Sequence, residues 1–275
     1  MQNVGMPLIS FLVLRGRMLR FLRSLLLFFA VSPASTFAVE PVHVAAAADL
    51  QFVLPELVTA FAKSGGEKMH LSFGSSGNFA RQIAQGAPFA LFLSADAIYA
   101  QQVVAAGLAD GKPIPYASGR LALFLPSGSR IAIDRELADF AAALQDGRIT
   151  RLALANPEHA PYGRAAREVL ENRGLWAVAQ PKLALGDNAA QAAQFAATGA
   201  AQAGLIPLSL ARAPELARHG SFATLPATWH APLVQTLVVI KGSPPVARRF
   251  AEFLRSKAAQ DILRSNGFAP APPPP

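Results

Sequence analysis

The residues best placed to do chemistry are two serines that stand between two glycines. Residues 73–78 read FGSSGN, with a short apolar run before them and a helical pattern after them. This layout predicts a strand, a tight turn and the start of a helix, where backbone amide groups are unpaired. Hydroxyl groups at such a turn could act as a nucleophile, hold a nucleotide phosphate or bind a free anion.

Enzyme motifs fit this stretch poorly. A nucleophile elbow, G-x-S-x-G, would make Ser76 the nucleophile, but Asn78 stands where the second glycine belongs. His230 comes late enough in the chain to be considered as its base, so a secreted serine hydrolase using Ser76 stays open as a remote alternative. The lysine of a phosphate-binding loop and the G-x-G-x-x-G motif are missing here. The sequence therefore predicts that the protein is not an enzyme.

Metal and cofactor signals are weak. The chain has no cysteine, which excludes disulfides, thiolate metal ligands and a lipidated N-terminal cysteine. Asp96 ends a predicted strand and is interpreted as the cap of the next helix. The histidines lack the spacing of a metal site; they are His43, His70, His159, His219 and His230. We expect no resident metal ion and no cofactor.

Small or polar residues also follow three other predicted strands. Ala48 and Asp49 follow the first strand, PEHAPYG occupies residues 157–163, and DNAAQ occupies residues 187–191. Taken singly, each junction is better explained as an ordinary helix cap. If several such helix starts meet at one cleft, however, their amide groups and dipoles would form an anion site without any lysine or arginine.

The order of elements predicts how these junctions are positioned. Short apolar runs alternate with amphipathic stretches from VHVAAA at residues 42–47 to a final helix over about residues 245–265. This alternation is typical of an α/β fold with mostly parallel sheets. The 275 residues favour two halves with a cleft between them, and ligands of such folds bind beyond the carboxyl ends of the strands.

Both ends of the chain have their own signatures. Residues 18–38 combine arginines, a short apolar run and small residues before a cleavage position, which predicts a cleaved signal peptide over residues 1–38 with Met18 as an alternative start. An uncleaved anchor helix is the rival interpretation. Export of a chain without cysteine indicates a soluble periplasmic protein. The tail at residues 269–275, APAPPPP, is predicted to be disordered.

The charge of the chain argues against a nucleic-acid partner. The formal net charge is +8, and four arginines before Ala38 contribute half of it, so the exported part carries only +4. The excess is scattered, with no basic cluster among aromatic residues. Such a charge favours solubility rather than a nucleic-acid site.

Four long blocks of the chain resemble the periplasmic molybdate-binding proteins of ABC transporters, a type II periplasmic binding protein family. The blocks are AAAADL, FGSSGNFARQIAQGAPFALFLSAD, LALANPEHAPYGRAAREVLENRGLW and PKLALGDNAAQAAQFAATGAAQAGLIPLSLA, and the likeness covers residues 42–268. It implies two α/β lobes joined by two crossover strands, with residues 39–121 and 232–268 in lobe 1 and residues 122–231 in lobe 2. It also implies a monomer that closes on molybdate or tungstate and delivers it to an inner-membrane ABC permease.

The resemblance also implies ligand residues. Ser76 would donate its hydroxyl and amide hydrogens, whereas Tyr162 and Ala189 would donate backbone amides, so that molybdenum is held only as molybdate through these three residues. Asp49 matches a ligand position where relatives commonly have serine or asparagine. Ala48, Ser75 and Pro207 are secondary candidates, and Pro207 replaces a tyrosine of some relatives.

Asp49 is the departure from the family pattern. A carboxylate aimed at a dianion in a closed cleft would be repulsive. Either the carboxyl caps its own helix and leaves only its amide for the anion, or the site takes a different or protonated ligand. We favour the cap as the interpretation of the sequence. Receptors for sulfate, phosphate or a phosphonate remain the alternative function.

Overall fold

The computed structural model describes residues 42–134 and 136–273. The predicted signal peptide at residues 1–38 lies outside this part of the chain. Across the described ranges, no helix is both long enough and apolar enough to cross a membrane.

The described chain forms two five-stranded sheets. The first has the order β2-β1-β3-β10-β4 and the second the order β7-β6-β8-β5-β9. The first sheet contains β1 (Val42–Ala47), β2 (Met69–Gly74), β3 (Leu91–Ser94), β4 (Ile114–Gly119) and β10 (Leu233–Val239). The second contains β5 (Leu121–Pro126), β6 (Leu152–Ala155), β7 (Leu183–Gly186), β8 (Ala203–Pro207) and β9 (Gly220–Thr224).

Helices flank both sheets and connect most of the strands. In lobe 1 they are α1 (Val53–Lys63), α2 (Ser76–Ala84), α3 (Ala97–Ala105), α10 (Pro245–Phe253) and α11 (Lys257–Ser265). In lobe 2 they are α4 (Ala138–Asp146), α5 (Pro161–Asn172), α6 (Trp176–Ala179), α7 (Ala189–Ala197), α8 (Leu208–Arg212) and α9 (Pro214–Ala217). Short 3-10 turns occupy Ala48–Leu50, Gln180–Lys182 and Ala227–Trp229.

The two-lobed α/β fold agrees with the prediction, but each sheet is mixed rather than mostly parallel. In lobe 1, β1 pairs in parallel with β2 and β3, whereas β10 runs antiparallel to β3 and β4. In lobe 2, β6 pairs in parallel with β7 and β8, whereas β5 runs antiparallel to β8 and β9. The strands that run against their neighbours are β5 and β10. Each directly follows a crossover between the lobes: β5 follows the crossover at Arg120, and β10 follows the crossover that leaves β9.

Strand β3 shows why the central strands of the sheets are continuously apolar. Leu91, Phe92 and Leu93 are all fully buried. Phe92 packs among the apolar residues of α2 and α3, whereas its two neighbours pack on the opposite face with α1, α10 and α11. Successive side chains of a strand point to opposite faces, so helices on both faces require apolar residues throughout. Burying each such side chain stabilises the fold by about 1.5–3 kcal/mol.

The C-terminal region differs from the prediction in two ways. The expected helix over residues 245–265 is two helices, and Ser256 caps the second by accepting a hydrogen bond from the amide of Ala259 at 3.3 Å. The predicted disorder from residue 269 is wrong at its start. Ala269 exchanges two backbone hydrogen bonds of 2.8 Å with Ser118, because the edge of β4 offers an amide and a carbonyl to the passing chain.

Gly163 allows α5 to approach β6, and its replacement by alanine is expected to destabilise the protein by about 1–3 kcal/mol. An added Cβ would lie 2.1 Å from the carbonyl oxygen of Ala155, a backbone atom that cannot move alone. Glycine to alanine inside a helix ordinarily stabilises by up to about 1 kcal/mol. Urea unfolding of Gly163→Ala distinguishes the two effects by the sign of the change in unfolding free energy. A stabilised variant would contradict the close approach of α5 to β6.

Candidate functional site

The carboxyl ends of the parallel strands of both lobes face each other across a closed cleft. Contacts between the lobes come mainly from the starts of helices and the loops before them. They include Gly77 N to His159 O at 2.9 Å, His159 Nδ1 to Ser75 Oγ at 3.0 Å, Tyr99 Oη to Glu158 O at 3.4 Å and Ser209 Oγ to Asp49 O at 2.8 Å. The cleft edges predicted from the sequence therefore do come together.

Ser76 is held as a hydrogen-bond donor at the start of α2. Its side chain is fully buried, and its Oγ accepts a hydrogen bond from the amide of Ala95 at 3.0 Å. A hydroxyl that accepts from an amide keeps its own hydrogen free to donate. The neighbouring Ser75 instead caps α2, since its Oγ accepts a hydrogen bond from the amide of Asn78 at 3.4 Å.

Three buried helix starts present amide groups to the cleft region. Ser76 and Ala189 are the first residues of α2 and α7, and Tyr162 is the second residue of α5. Among the described residues, the amides of these three have no hydrogen-bond acceptor. The first amides of a helix lack partners within the helix and lie at the positive end of its dipole. Such groups suit an anion.

The contacts across the cleft place two of these helix starts opposite each other. Gly77, the residue after Ser76, donates its amide to the carbonyl of His159 in the loop that leads into α5. Helix α7 is in contact with the 3-10 turn that contains Asp49, and its cap residue Asn188 lines the same cavity as Gln51, two residues after Asp49. The predicted site residues Asp49, Ser76, Tyr162 and Ala189 are thus all buried at the interface between the lobes.

Asp49 does not cap its helix, so the favoured interpretation of the sequence is wrong. It lies inside the turn Ala48–Leu50, past the cap position at Ala47, and makes no capping hydrogen bond. Its Oδ2 instead accepts from Nε2 of Gln235 at 2.6 Å. Burial raises the pKa of Asp49 to about 7, although hydrogen bonds from Tyr162 and Gln235 oppose this.

Gln235 and Tyr116 belong to the site and were not predicted. Gln235 is fully buried in β10, and its Oε1 accepts from the hydroxyl of Tyr116 at 3.1 Å. The register of β10 against β4 shifts between Gln235 and Thr236, and such a bulge re-aims a side chain. The sequence did contain one signal for Gln235, which is a single amide side chain in the otherwise apolar run LVQTLVV. A polar residue at a buried position points to a specific role, whereas a buried apolar residue does not.

Two of the three secondary candidates, Pro207 and Ala48, have no side-chain group that could donate a hydrogen bond to a ligand. Pro207 ends β8 opposite Leu121 and is buried. Ala48 begins the 3-10 turn and is also buried. In the described part of the chain, Ser76 has no hydrogen bond to a histidine, and His230 Nδ1 instead faces the carbonyl of Ala231 at 2.7 Å. The pair required for a hydrolase is thus not formed there.

Two further observations bear on what the lobes could bind. Within residues 42–134 and 136–273, no three histidine, aspartate or glutamate side chains are grouped as a metal site would require. A cavity of about 550 Å³ lies between the lobes and is lined by residues that include Gln51, Asn188, Gln191 and His219. Ser76, Tyr162 and Ala189 do not line it.

An ion pair also joins the lobes, beside the contact between Tyr99 and Glu158. Asp96 caps α3 through Oδ1, which accepts from the amide of Tyr99 at 3.1 Å, as predicted. Its Oδ2 pairs with the guanidinium of Arg164 in α5. The Asp96 side chain is 4% exposed and that of Arg164 is 31% exposed, so water screens this pair less than a surface pair.

Arg164→Ala is expected to shift the protein towards an open form, because the buried Asp96 carboxylate loses its cation. The measurement is small-angle X-ray scattering, where the radius of gyration should increase relative to the unchanged protein. Arg167→Ala is the matched control, since Arg167 pairs with Glu171 on its own helix and joins no second lobe. Identical scattering from all three proteins would contradict a role for the pair in closure.

Two α/β lobes, two crossovers and unpaired helix-start amides in a closed cleft define a bilobal solute-binding protein. The chain belongs to the bacterial extracellular solute-binding protein family, whose model matches residues 42–269. This confirms the class that the sequence blocks indicated.

Most of the chain is similar to known molybdate-binding proteins. It is 34% identical over 231 residues to the molybdate-binding protein ModA of Rhodobacter capsulatus, covering 82% of this chain and 88% of that protein. It is 30% identical over 237 residues to ModA of Escherichia coli strain K12, covering 82% and 88%. The structure of the periplasmic molybdate-binding protein of Azotobacter vinelandii matches with a TM-score of 0.75 and 29% identity, covering 83% of this chain and 98% of that one.

Proposed function

We propose that this protein captures molybdate or tungstate between its two lobes and delivers the anion to an ABC permease. The observation that carries the proposal is the set of unpaired amides at Ser76, Tyr162 and Ala189, together with the hydroxyl of Ser76. The names of the relatives from Rhodobacter capsulatus and Escherichia coli support molybdate as the ligand.

Neutral donors account for how such a site would hold a dianion. Each hydrogen bond from an amide or hydroxyl to a charged oxygen contributes about 1.5–3 kcal/mol, roughly twice a neutral bond. The donors are fixed by helix geometry and, for Ser76, by the bond from Ala95. A rigid donor set selects by cavity size, because sulfate and phosphate are tetrahedral but have shorter bonds than molybdate.

The remaining features of the proposal concern location and partner. The protein acts in the periplasm after removal of the signal peptide at residues 1–38, as a monomer without enzymatic activity or cofactor. Closure of the lobes around the anion creates the surface that the permease recognises.

Asp49 favours a second candidate, a receptor for hydrogen phosphate. Its Oδ1 is buried without a hydrogen-bond partner among the described residues. Hydrogen phosphate carries a proton that needs an acceptor, and an ionised carboxylate is such an acceptor. Molybdate and sulfate dianions carry no such proton.

Calorimetric titration of the anion-free protein with molybdate, tungstate, sulfate and phosphate tests the proposal. We expect molybdate and tungstate to bind alike, and sulfate and phosphate to bind at least about 100-fold more weakly, which corresponds to about 2.7 kcal/mol. No heat with either molybdate or tungstate would refute the function. Preferential binding of phosphate would establish the second candidate instead.

A further inference from the structure

Among the described residues, no cation pairs with the buried carboxyl of Asp49. The residue is 1% exposed, one oxygen accepts from Gln235, and the other has no partner within the described chain. Buried charges in proteins are normally paired with an opposite charge or a metal ion. A carboxyl in this situation favours its neutral form.

The described side chains that hydrogen-bond to Asp49 are all neutral. Tyr116 donates to Oε1 of Gln235, so the amide of Gln235 must direct its Nε2 hydrogens at Asp49 and at the hydroxyl of Tyr162, 3.5 Å away. The hydroxyl of Ser209 bonds to the backbone carbonyl of Asp49 rather than to its carboxyl. The orientation of the carboxyl is therefore fixed by a chain of side chains from β10, β4 and α5.

Within the described residues, the elements around the 3-10 turn supply no cation to this carboxyl. Helix α5, which brings Tyr162 to Asp49, also carries Arg164 and Arg167, but these pair with Asp96 and Glu171. Strand β2 carries His70, helix α8 ends in Arg212, and helix α7 has no titratable side chain. Strands β4 and β10 contribute Tyr116 and no charged residue. None of the described lysines, arginines or histidines shifts the pKa of Asp49, which burial raises to about 7.

A bound dianion acts in the same direction as burial. The turn that holds Asp49 is in contact with α7, and Tyr162, whose amide is one of the proposed donors, hydrogen-bonds to the Asp49 carboxyl through its hydroxyl. A like charge close to a carboxylate disfavours its ionised form. In a closed cleft little water screens this repulsion.

We propose that Asp49 is a neutral carboxylic acid in the loaded site, so that above neutral pH each captured dianion is accompanied by one proton from solvent. The inference rests on the proposed function, since it concerns the same site. The proton resides on the Asp49 carboxyl, which then presents a hydroxyl in place of a repulsive charge. Asp49 is thus a specificity residue that admits dianions without a proton of their own.

The proposal fixes the sign of the pH dependence. Below about pH 7 the carboxyl already holds its proton, and loading requires none. Above about pH 7 the carboxyl of the unloaded protein is ionised, and loading must take up one proton. The affinity for molybdate should therefore be level at lower pH and fall by about tenfold per pH unit above neutrality.

Calorimetry with molybdate at about pH 8.5, in two buffers of different ionisation enthalpy, counts the protons directly. We expect close to one proton taken up per molybdate by the unchanged protein, and none by Asp49→Asn or Asp49→Ser. Asp187→Asn is the matched control, because Asp187 is an exposed acid near the α7 start, and it should retain the uptake.

Each outcome has a distinct consequence. Binding of molybdate without proton uptake by the unchanged protein would overturn the inference and leave the proposed function standing. Uptake that persists in both Asp49 variants would also overturn it, by placing the proton elsewhere. Absence of molybdate binding at every pH would overturn the proposed function itself. If an Asp49 variant fails to fold, the number of protons taken up per molybdate by the unchanged protein still tests the inference.

Discussion

Ala189→Pro is expected to weaken molybdate binding by at least about 100-fold while the protein remains folded. The substitution replaces an amide hydrogen by a ring methylene at the proposed ligand position. A lost charge-assisted hydrogen bond costs about 1.5–3 kcal/mol, and the methylene adds steric exclusion. Together these exceed the 2.7 kcal/mol that correspond to a 100-fold change.

The helix itself should tolerate this proline. Ala189 is the first residue of α7, the helical position where proline is favoured because that amide has no partner within the helix. Asn188 before it is extended, with φ −149° and ψ 176°, as a residue before proline must be. Thermal unfolding close to that of the unchanged protein would verify that only the donor has been removed.

Lys257→Pro is the matched control for the Ala189 variant. Lys257 is the first residue of α11, its preceding residue Ser256 is also extended, and its side chain is 87% exposed. We expect unchanged anion affinity for this variant. If Ala189→Pro binds molybdate as tightly as Lys257→Pro does, the Ala189 amide is not a ligand donor.

Ser76→Ala is expected to weaken molybdate binding by about 10- to 100-fold, equivalent to about 1.4–2.7 kcal/mol. The hydroxyl is buried, and the bond from Ala95 leaves its hydrogen available to the anion. The same change leaves the Ala95 amide without its acceptor, so a loss of about 1–3 kcal/mol in unfolding free energy should accompany it. Calorimetry and urea unfolding measure the two effects separately.

Ser94→Ala separates loss of a ligand donor from loss of stability. Ser94 is as buried as Ser76, and its Oγ accepts from the amide of Asp96 at 3.4 Å. We expect this variant to lose stability while its affinity stays within about threefold of the unchanged protein. Equal losses of affinity in both serine variants would contradict direct donation by Ser76.

The residues that could be predicted from sequence are those whose role depends on local structure. Ser76 and Ala189 stand at strand-to-helix junctions, and unpaired amides at such places follow from helix geometry alone. Asp49 shows the limit of local reasoning. A cap was expected from its place near a helix start, but its carboxyl is engaged by Gln235, 186 positions further along the chain. Only the fold brings these two together.

The fold shows the same division between local and distant causes. The apolar runs and helical periodicities located most strands and helices, but β9 was missed because its sequence, GSFAT, is short and much of it is exposed. Strand β4, with the sequence IPYASG, ends in small and polar residues that give little strand signal. It is defined by its pairing with β10, which is distant in sequence. Strand direction has no periodic signal, which is why the antiparallel pairings next to the crossovers were not predicted.

The most direct test of the anion-binding cleft is an anomalous difference map at the molybdenum absorption edge, from crystals of the protein grown with molybdate. A single strong peak is expected between the lobes, with its oxygen atoms within hydrogen-bonding distance of Ser76 Oγ and of the amides of Tyr162 and Ala189. A peak at any other place, such as the cavity beside Gln51 and His219, or no peak at all, would contradict the proposed site.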